Sequence, residues 1–283
     1  MKVASVEWPK SEWKSIDKRE ILVHKIKEYL EKAVKGQVDI IVFPGFTGVF
    51  FQQLSYPDRN IRSLIKEADS REYIEQIKEL SREYKIAICP GTYWQKEKSN
   101  IYHESSLIIN GEVQLKQRQI YLARWERELG FSRGTKIELK EIKDWTLTLI
   151  ISTDVFYPQV SRMIALRGAD IVLSPVGFTG ENNRALQVSG MWQEVQQNQF
   201  FAVVSGFNGF LGERNFWGES MIHAPLAMTR RENGFLARSR GQQSLIIARL
   251  DNEQRKKAIS KYNVLLQLNY QFYRQMKMFK VDG

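Results

Sequence analysis

Two runs, Asp39-Ile40-Ile41-Val42-Phe43-Pro44 and Asp170-Ile171-Val172-Leu173-Ser174-Pro175, constrain this chain more than anything else in it. Each is apolar at successive rather than alternate positions, so a strand built from it must be covered on both faces. Each follows a helix-like segment that closes near a glycine, Gly36 or Gly168. The first run leads into Gly45-Phe46-Thr47-Gly48, and the second, after Val176, into Gly177-Phe178-Thr179-Gly180. Two matched helix–strand–turn units suit a sandwich of two similar halves.

The rest of the chain alternates in the same way. Strands are expected at Lys2–Trp8, Val38–Phe43, Lys85–Cys89, Trp145–Ser152, Asp170–Ser174, Phe201–Ser205 and Ser244–Leu250. Helical spacing marks Ile21–Val34, Arg71–Tyr84, Gln159–Arg167 and Met191–Gln199. Asn110-Gly111, between two apolar runs, is a two-residue hairpin signal. From Glu253 to Phe279 the apolar spacing predicts one long helix, suited either to its own subunit or to a partner. The expected division is one domain over residues 1–250, with a C-terminal helix and tail over 251–283 in that domain or at a dimer interface.

With 283 residues, 43% of them hydrophobic, the chain can bury a sizeable core. No run reaches the ~18 apolar residues of a membrane span. Met1-Lys2-Val3 leads straight into a strand, so no secretory signal is expected. Cys89 is the one cysteine, which excludes an intramolecular disulfide and a Cys-rich zinc site and suits a reducing cytoplasm. The formal charge of +10 is spread over the whole chain, without a nucleic-acid motif or interleaved stacking aromatics. It therefore reads as solvated helix faces, and neither nucleic acid nor membrane is expected as a partner.

Several segments, taken in order, resemble the nitrilase or carbon–nitrogen hydrolase superfamily. VDIIVFP (38–44) resembles its first signature strand, and YLARWERELGFSRG (121–134) its second signature. LIISTDVFYPQVSRMIALRGADIVLSP (149–175) matches the third, with Asp154, Tyr157-Pro158, Arg162 and Arg167-Gly168-Ala169-Asp170 in step. Asn198 and the GESMIHAP segment, with Gly218, Ser220 and Pro225, fit later elements. The resemblance spans roughly residues 1–250. It implies an α/β fold, a four-layer α–β–β–α sandwich, commonly paired into a homodimer or higher even oligomer. It also implies a glutamate, a lysine and a cysteine that hydrolyse amides or nitriles, usually with a second glutamate. The carboxylate frees the thiolate, the thiolate attacks carbon, and the lysine holds the developing charge.

At the three essential positions this sequence carries Gly45, Gln119 (with Arg118 and Lys116 nearby) and Ser152. A serine hydroxyl without a base is a poor nucleophile, glycine is no base, and glutamine has no charge. The second glutamate corresponds to Glu126 or Glu128. Losing the glutamate and lysine together avoids a buried unpaired charge and keeps the pocket neutral, as suits a folded, non-catalytic descendant. The cavity is expected to persist, somewhat enlarged at Gly45.

Phe46, Tyr121, Asp154 and Phe178 are candidates to line it, and Trp125 and Trp192 are further ones, with core packing the default for each. Cys89 reads as a buried inert thiol. His24, His103 and His223 are scattered, so no metal site is expected, and no cofactor is called for. With Gly45, Gln119 and Ser152 at the essential positions, the expected function is a pseudoenzyme that binds a small amide, acid or amine, or acts as a regulatory subunit. The alternative is an active amide or nitrile hydrolase with a relocated constellation, Ser152 helped by Glu126 or Glu128.

Overall fold

Both apolar runs become inner strands of separate sheets in the computed structural model, which describes residues 1–8, 13, 15–56, 60–240 and 244–275. Strand Ile40–Val42 lies between Lys2–Val6 and Ala87–Cys89, parallel to both. Strand Ile171–Val176 lies between Trp145–Leu149 and Phe201–Gly206, again parallel to both. The first sheet continues outward to Leu245–Arg249 on one side. On the other side it continues to Asn100–Ile109, which Thr92–Glu97 and Glu112–Arg118 flank. The second sheet runs from Phe235–Arg238 through Met221–His223 to the central pair, and ends at Leu139–Ile142.

Burial on both faces explains why these runs lack polar alternation. Val3, Ile40, Val42 and Cys89 meet Leu147, Leu149, Ile171 and Leu173 in the layer between the sheets. Their neighbours Ala4, Val6, Ile41 and Phe43 turn the other way, under helices Arg19–Lys35 and Arg71–Tyr84. In the second sheet Val172, Ala202 and Val204 pack beneath Pro158–Leu166 and Gln193–Asn198. Side chains alternate across a strand, so each strand feeds two apolar layers. The result is the expected four-layer α–β–β–α arrangement. Ser5 Oγ donates to the Val204 carbonyl at 2.7 Å and Ser205 Oγ to the Val6 carbonyl at 2.6 Å, tying one sheet to the other.

The Asn110-Gly111 hairpin forms with both residues at positive φ, 50° and 77°, the geometry of a tight primed turn. Three expectations change. The strand expected to Ser152 stops at Leu149, and Ser152 opens a tight 3₁₀ turn, Ser152–Phe156. The helix expected at 191–199 begins earlier, at Arg184, and passes through a wide turn broken at Gly190.

The C-terminal stretch is two helices rather than one, Asn252–Lys261 and Tyr270–Gln275. Asn263 Oδ1 accepts the Leu266 N–H, and Asn269 Oδ1 accepts those of Gln271 and Phe272. Such local side-chain bonds compete with helix propagation and start a new turn. The 276–279 part of that expectation lies outside the described residues. Among the described residues no helix is long and apolar enough to cross a membrane.

Candidate functional site

The two echoed turns meet. Gly45 opens the first Gly-Phe-Thr-Gly and packs against the backbone where the second begins. A Cβ at Gly45 would lie 2.6 Å from the Val176 carbonyl carbon and oxygen, and 3.1 Å from the Gly177 nitrogen. Only a residue without a side chain permits that approach. The cavity expected to widen at Gly45 is therefore closed there by backbone.

Phe46 fills the adjoining space. It sits in the left-handed region at φ 61°, and its N–H donates to Thr92 Oγ1 at 2.7 Å. Its ring stacks on His103, with centroids 4.8 Å apart, and packs against Trp125, Phe207 and Phe216. It also packs against Gly177, where a Cβ would come within 2.8 Å of the ring. A non-glycine residue in this conformation costs about 1–2 kcal/mol. The aromatic contacts of a fully buried Phe offset that.

Ser152 stands at the strand-to-turn corner, also with positive φ, 46°, and is buried. Its hydroxyl donates to the Gly177 carbonyl at 3.2 Å. No carboxylate among the described residues bonds it. Gln119 is wholly buried, and its amide nitrogen donates to Glu126 Oε2 at 2.9 Å, Thr153 Oγ1 at 2.7 Å and the Tyr121 carbonyl at 3.1 Å. Contacts thus run in a ring, from Ser152 to Gly177, Phe46, His103, Gln119, Thr153 and back. The structure brings Gly45, Gln119 and Ser152 into one cluster and packs it shut with the chain's own side chains.

Of the two candidate acids, Glu126 belongs to the cluster and Glu128 does not. Glu126 is 1% exposed. Its Oε2 also accepts the Ala123 N–H at 2.7 Å, fixing the start of the short helix Arg124–Glu128. Glu128 is exposed and pairs with Arg124. The cluster also holds an imidazole that the sequence did not place there. Glu126 keeps its place, and His103, passed over in the sequence, meets it at 2.8 Å. The pair is separated by a strand and a loop, so no local spacing announces it.

Asp154 and Tyr121 play structural parts. Asp154 accepts the Ile120 N–H at 3.0 Å and the Tyr121 N–H at 2.6 Å, clamping the loop to the 3₁₀ turn. Burial pushes its carboxyl up to about 8, against the lowering effect of those backbone donors and with the Glu126 charge as a smaller raising influence. Tyr121 stacks face to face on Tyr157, centroids 3.9 Å apart. Phe178 packs between Phe156 and Trp217, and Trp192 Nε1 donates to the Asn233 carbonyl. Neither faces the cluster through any ring contact. Trp125 does, edge-on to Phe131 and tilted against Phe46.

Cys89 lies between the sheets, fully buried, and burial pushes its thiol up to about 11. It is an unreactive core residue. His223 is also buried, and its imidazole is pushed down to about 3. His24 lies on the exposed side of its helix, beside Glu28. Among the described residues no group of His, Cys, Asp and Glu forms a metal-binding cluster. A second acidic set escaped the sequence reading. Buried Glu7 accepts the Ser220 N–H at 2.6 Å and the Ser239 hydroxyl. Glu219, next to Ser220, pairs with Arg238 at 2.7 Å.

The carbon-nitrogen hydrolase family profile matches residues 2–259, and the chain belongs to that family. Its fold is shared with a carbon-nitrogen hydrolase from Helicobacter pylori, at a TM-score of 0.79 and 16% identity, covering 98% of this chain and 97% of that one. An amidase from Nesterenkonia sp. superposes at a TM-score of 0.74, also at 16% identity, covering 98% and 96%. A Bacillus subtilis protein described as the probable hydrolase YhcX is 25% identical over 224 residues, 76% of this chain. That match covers 43% of the relative, so this chain spans less than half its length.

Proposed function

We propose that this protein is a non-catalytic member of the carbon–nitrogen hydrolase family, a pseudoenzyme that works by binding or regulation on an intact scaffold. The carrying observation is the packed contact of Gly45 with the Val176–Gly177 backbone. It leaves no room for a carboxylate arm at the position where the family resemblance implies the general base. Gln119 and Ser152 complete the set. Neither supplies a cation or a thiolate, and the Ser152 hydroxyl is engaged by a carbonyl rather than a base. The relocated hydrolase, Ser152 with Glu126 or Glu128, is the second reading. It is disfavoured because Glu126 is committed to His103, Gln119 and the Ala123 N–H, and Glu128 faces solvent.

A small amide, acid or amine remains the ligand class this reading allows, without a cofactor or metal, in a cytoplasmic protein. With Phe46 in place such a ligand meets the molecule outside the packed cluster. One open cavity, about 490 Å³, is lined by residues 114–118, 134–136, 138 and 139 and includes Lys116, Arg118 and Lys136. A homodimer or higher even oligomer is proposed as well. Met163 and Leu166 on helix Pro158–Leu166 are 53% and 47% exposed, and Leu186 lies exposed on the following helix. Thermal shift against small amides, carboxylic acids and amines tests the ligand class. Stabilisation that Lys116→Ala and Lys136→Ala leave unchanged while Phe46→Leu abolishes it would move the ligand back to the packed cluster.

A further inference from the structure

Hydrogen-bond bookkeeping around His103 fixes the direction in which protons are shared. The Gln119 amide nitrogen faces three acceptors, Glu126 Oε2, Thr153 Oγ1 and the Tyr121 carbonyl. Its oxygen therefore faces His103 Nδ1, at 2.6 Å. Glu126 Oε1 faces the same ring nitrogen at 2.8 Å. Two acceptors on Nδ1 require that it carry the hydrogen. On the other side, His103 Nε2 lies 2.6 Å from Thr92 Oγ1. That hydroxyl already accepts the Phe46 N–H. Among the described residues no other acceptor for its hydrogen is recorded, so it donates to Nε2. The order is hydroxyl to imidazole to carboxylate, the arrangement that activates a serine or threonine for acyl transfer.

We infer that Thr92, His103 and Glu126 form an acyl-accepting relay, separate from Ser152, that Phe46 and the aromatic side chains around it bury. Thr92, His103 and Glu126 are each no more than 1% exposed. The Phe46 ring lies over the imidazole, and its N–H holds the hydroxyl. The substrate class is a small activated ester. Thr92 Oγ attacks the carbonyl carbon as its proton passes to His103 Nε2, and the ester C–O bond breaks. The products are an acyl-threonine and the leaving alkoxide or phenolate, with the proton held on an imidazole paired to Glu126 and then lost to solvent. One oxygen of Glu126 serves this relay while the other holds Gln119 and the Ala123 N–H. The relay is buried in the native protein, so it leaves the non-catalytic reading standing and adds a latent chemistry to it, and the two fail separately.

The test makes space against the imidazole with Phe46→Gly, since glycine adopts the positive φ of position 46 freely. The probe is p-nitrophenyl acetate, read by p-nitrophenolate release and by mass spectrometry of the Thr92 peptide. The expected result is acetylation of Thr92 in Phe46→Gly roughly a hundredfold or more faster than in the parent. It is lost when Thr92→Val is added and slowed by a comparable factor when His103→Gln is added. A cooperatively folded Phe46→Gly protein without acetyl on Thr92, or with label that Thr92→Val does not remove, overturns the inference. A second arm needs no cavity variant. Long-range ¹H–¹⁵N spectra of the parent, assigned with His103→Gln, are expected to show hydrogen on Nδ1 and none on Nε2. The reverse tautomer, or hydrogen on both nitrogens at neutral pH, overturns it whether or not Phe46→Gly folds.

Discussion

At position 45 a methyl group already meets backbone. The Val176 carbonyl lies within 2.6 Å of where a Cβ would be, and backbone gives way less readily than the end of a flexible side chain. Gly45→Ala is therefore expected to destabilise the fold by about 1–3 kcal/mol, the usual cost of overpacking. Gly45→Glu should cost more. Urea melts decide this, and an unchanged midpoint for Gly45→Ala would mean the two turns do not touch. The same contact predicts that restoring Glu, Lys and Cys at 45, 119 and 152 together fails for structural reasons before chemistry is reached. Removing one member of the His103–Glu126 pair strands a polar group in a dry interior, a loss of about 3–5 kcal/mol for a buried charge.

Among the elements, the loop that carries Gln119 and Tyr121 hangs on one carboxylate. Asp154 holds the Ile120 and Tyr121 N–H groups, and burial raises its carboxyl to about 8. The unfolded chain titrates near 4, so between about pH 4 and pH 8 the folded protein binds more protons at this group. Its contribution is whole below the unfolded value and is lost as pH rises through about 8. His223 acts in the opposite sense. Pushed down to about 3, it favours the fold above the unfolded value near 6.5, and that contribution fades as pH falls. Asp154→Asn keeps an acceptor for the loop without the titration. Urea melts at pH 5, 6, 7 and 8 should show stability falling across this range in the parent relative to Asp154→Asn. Parallel profiles would contradict the burial account of Asp154.

The elements also differ in how far the sequence disclosed them. The strands were legible because double-sided burial writes itself as an unbroken apolar run, as in Ile40–Val42 and Ile171–Val176. The C-terminal break was hidden because Asn263 and Asn269 act through side-chain bonds that apolar spacing ignores. At the site, Gly45, Gln119 and Ser152 were singled out by resemblance. The role of Phe46 as filler, and of His103 as partner to Glu126, depends on strands brought together by the sheet, which no local pattern records.

For the whole molecule, the proposed association rests on the exposed apolar side chains of one helical layer, Met163, Leu166 and Leu186. Light scattering at micromolar concentration is expected to give twice the 33.1 kDa chain mass or a higher even multiple, and a monomer would rule out that proposal. Closure also bears on chemistry. A hydroxyl held by the Gly177 carbonyl, without a base at 45 or a cation at 119, lacks the charge stabilisation whose loss alone costs about 3–4 kcal/mol at comparable sites. The most direct measurement is ammonia release from a panel of short amides and nitriles, with the unmodified protein and Ser152→Ala side by side. Neither is expected to rise above the uncatalysed rate. Ammonia release by the unmodified protein that Ser152→Ala abolishes would contradict it.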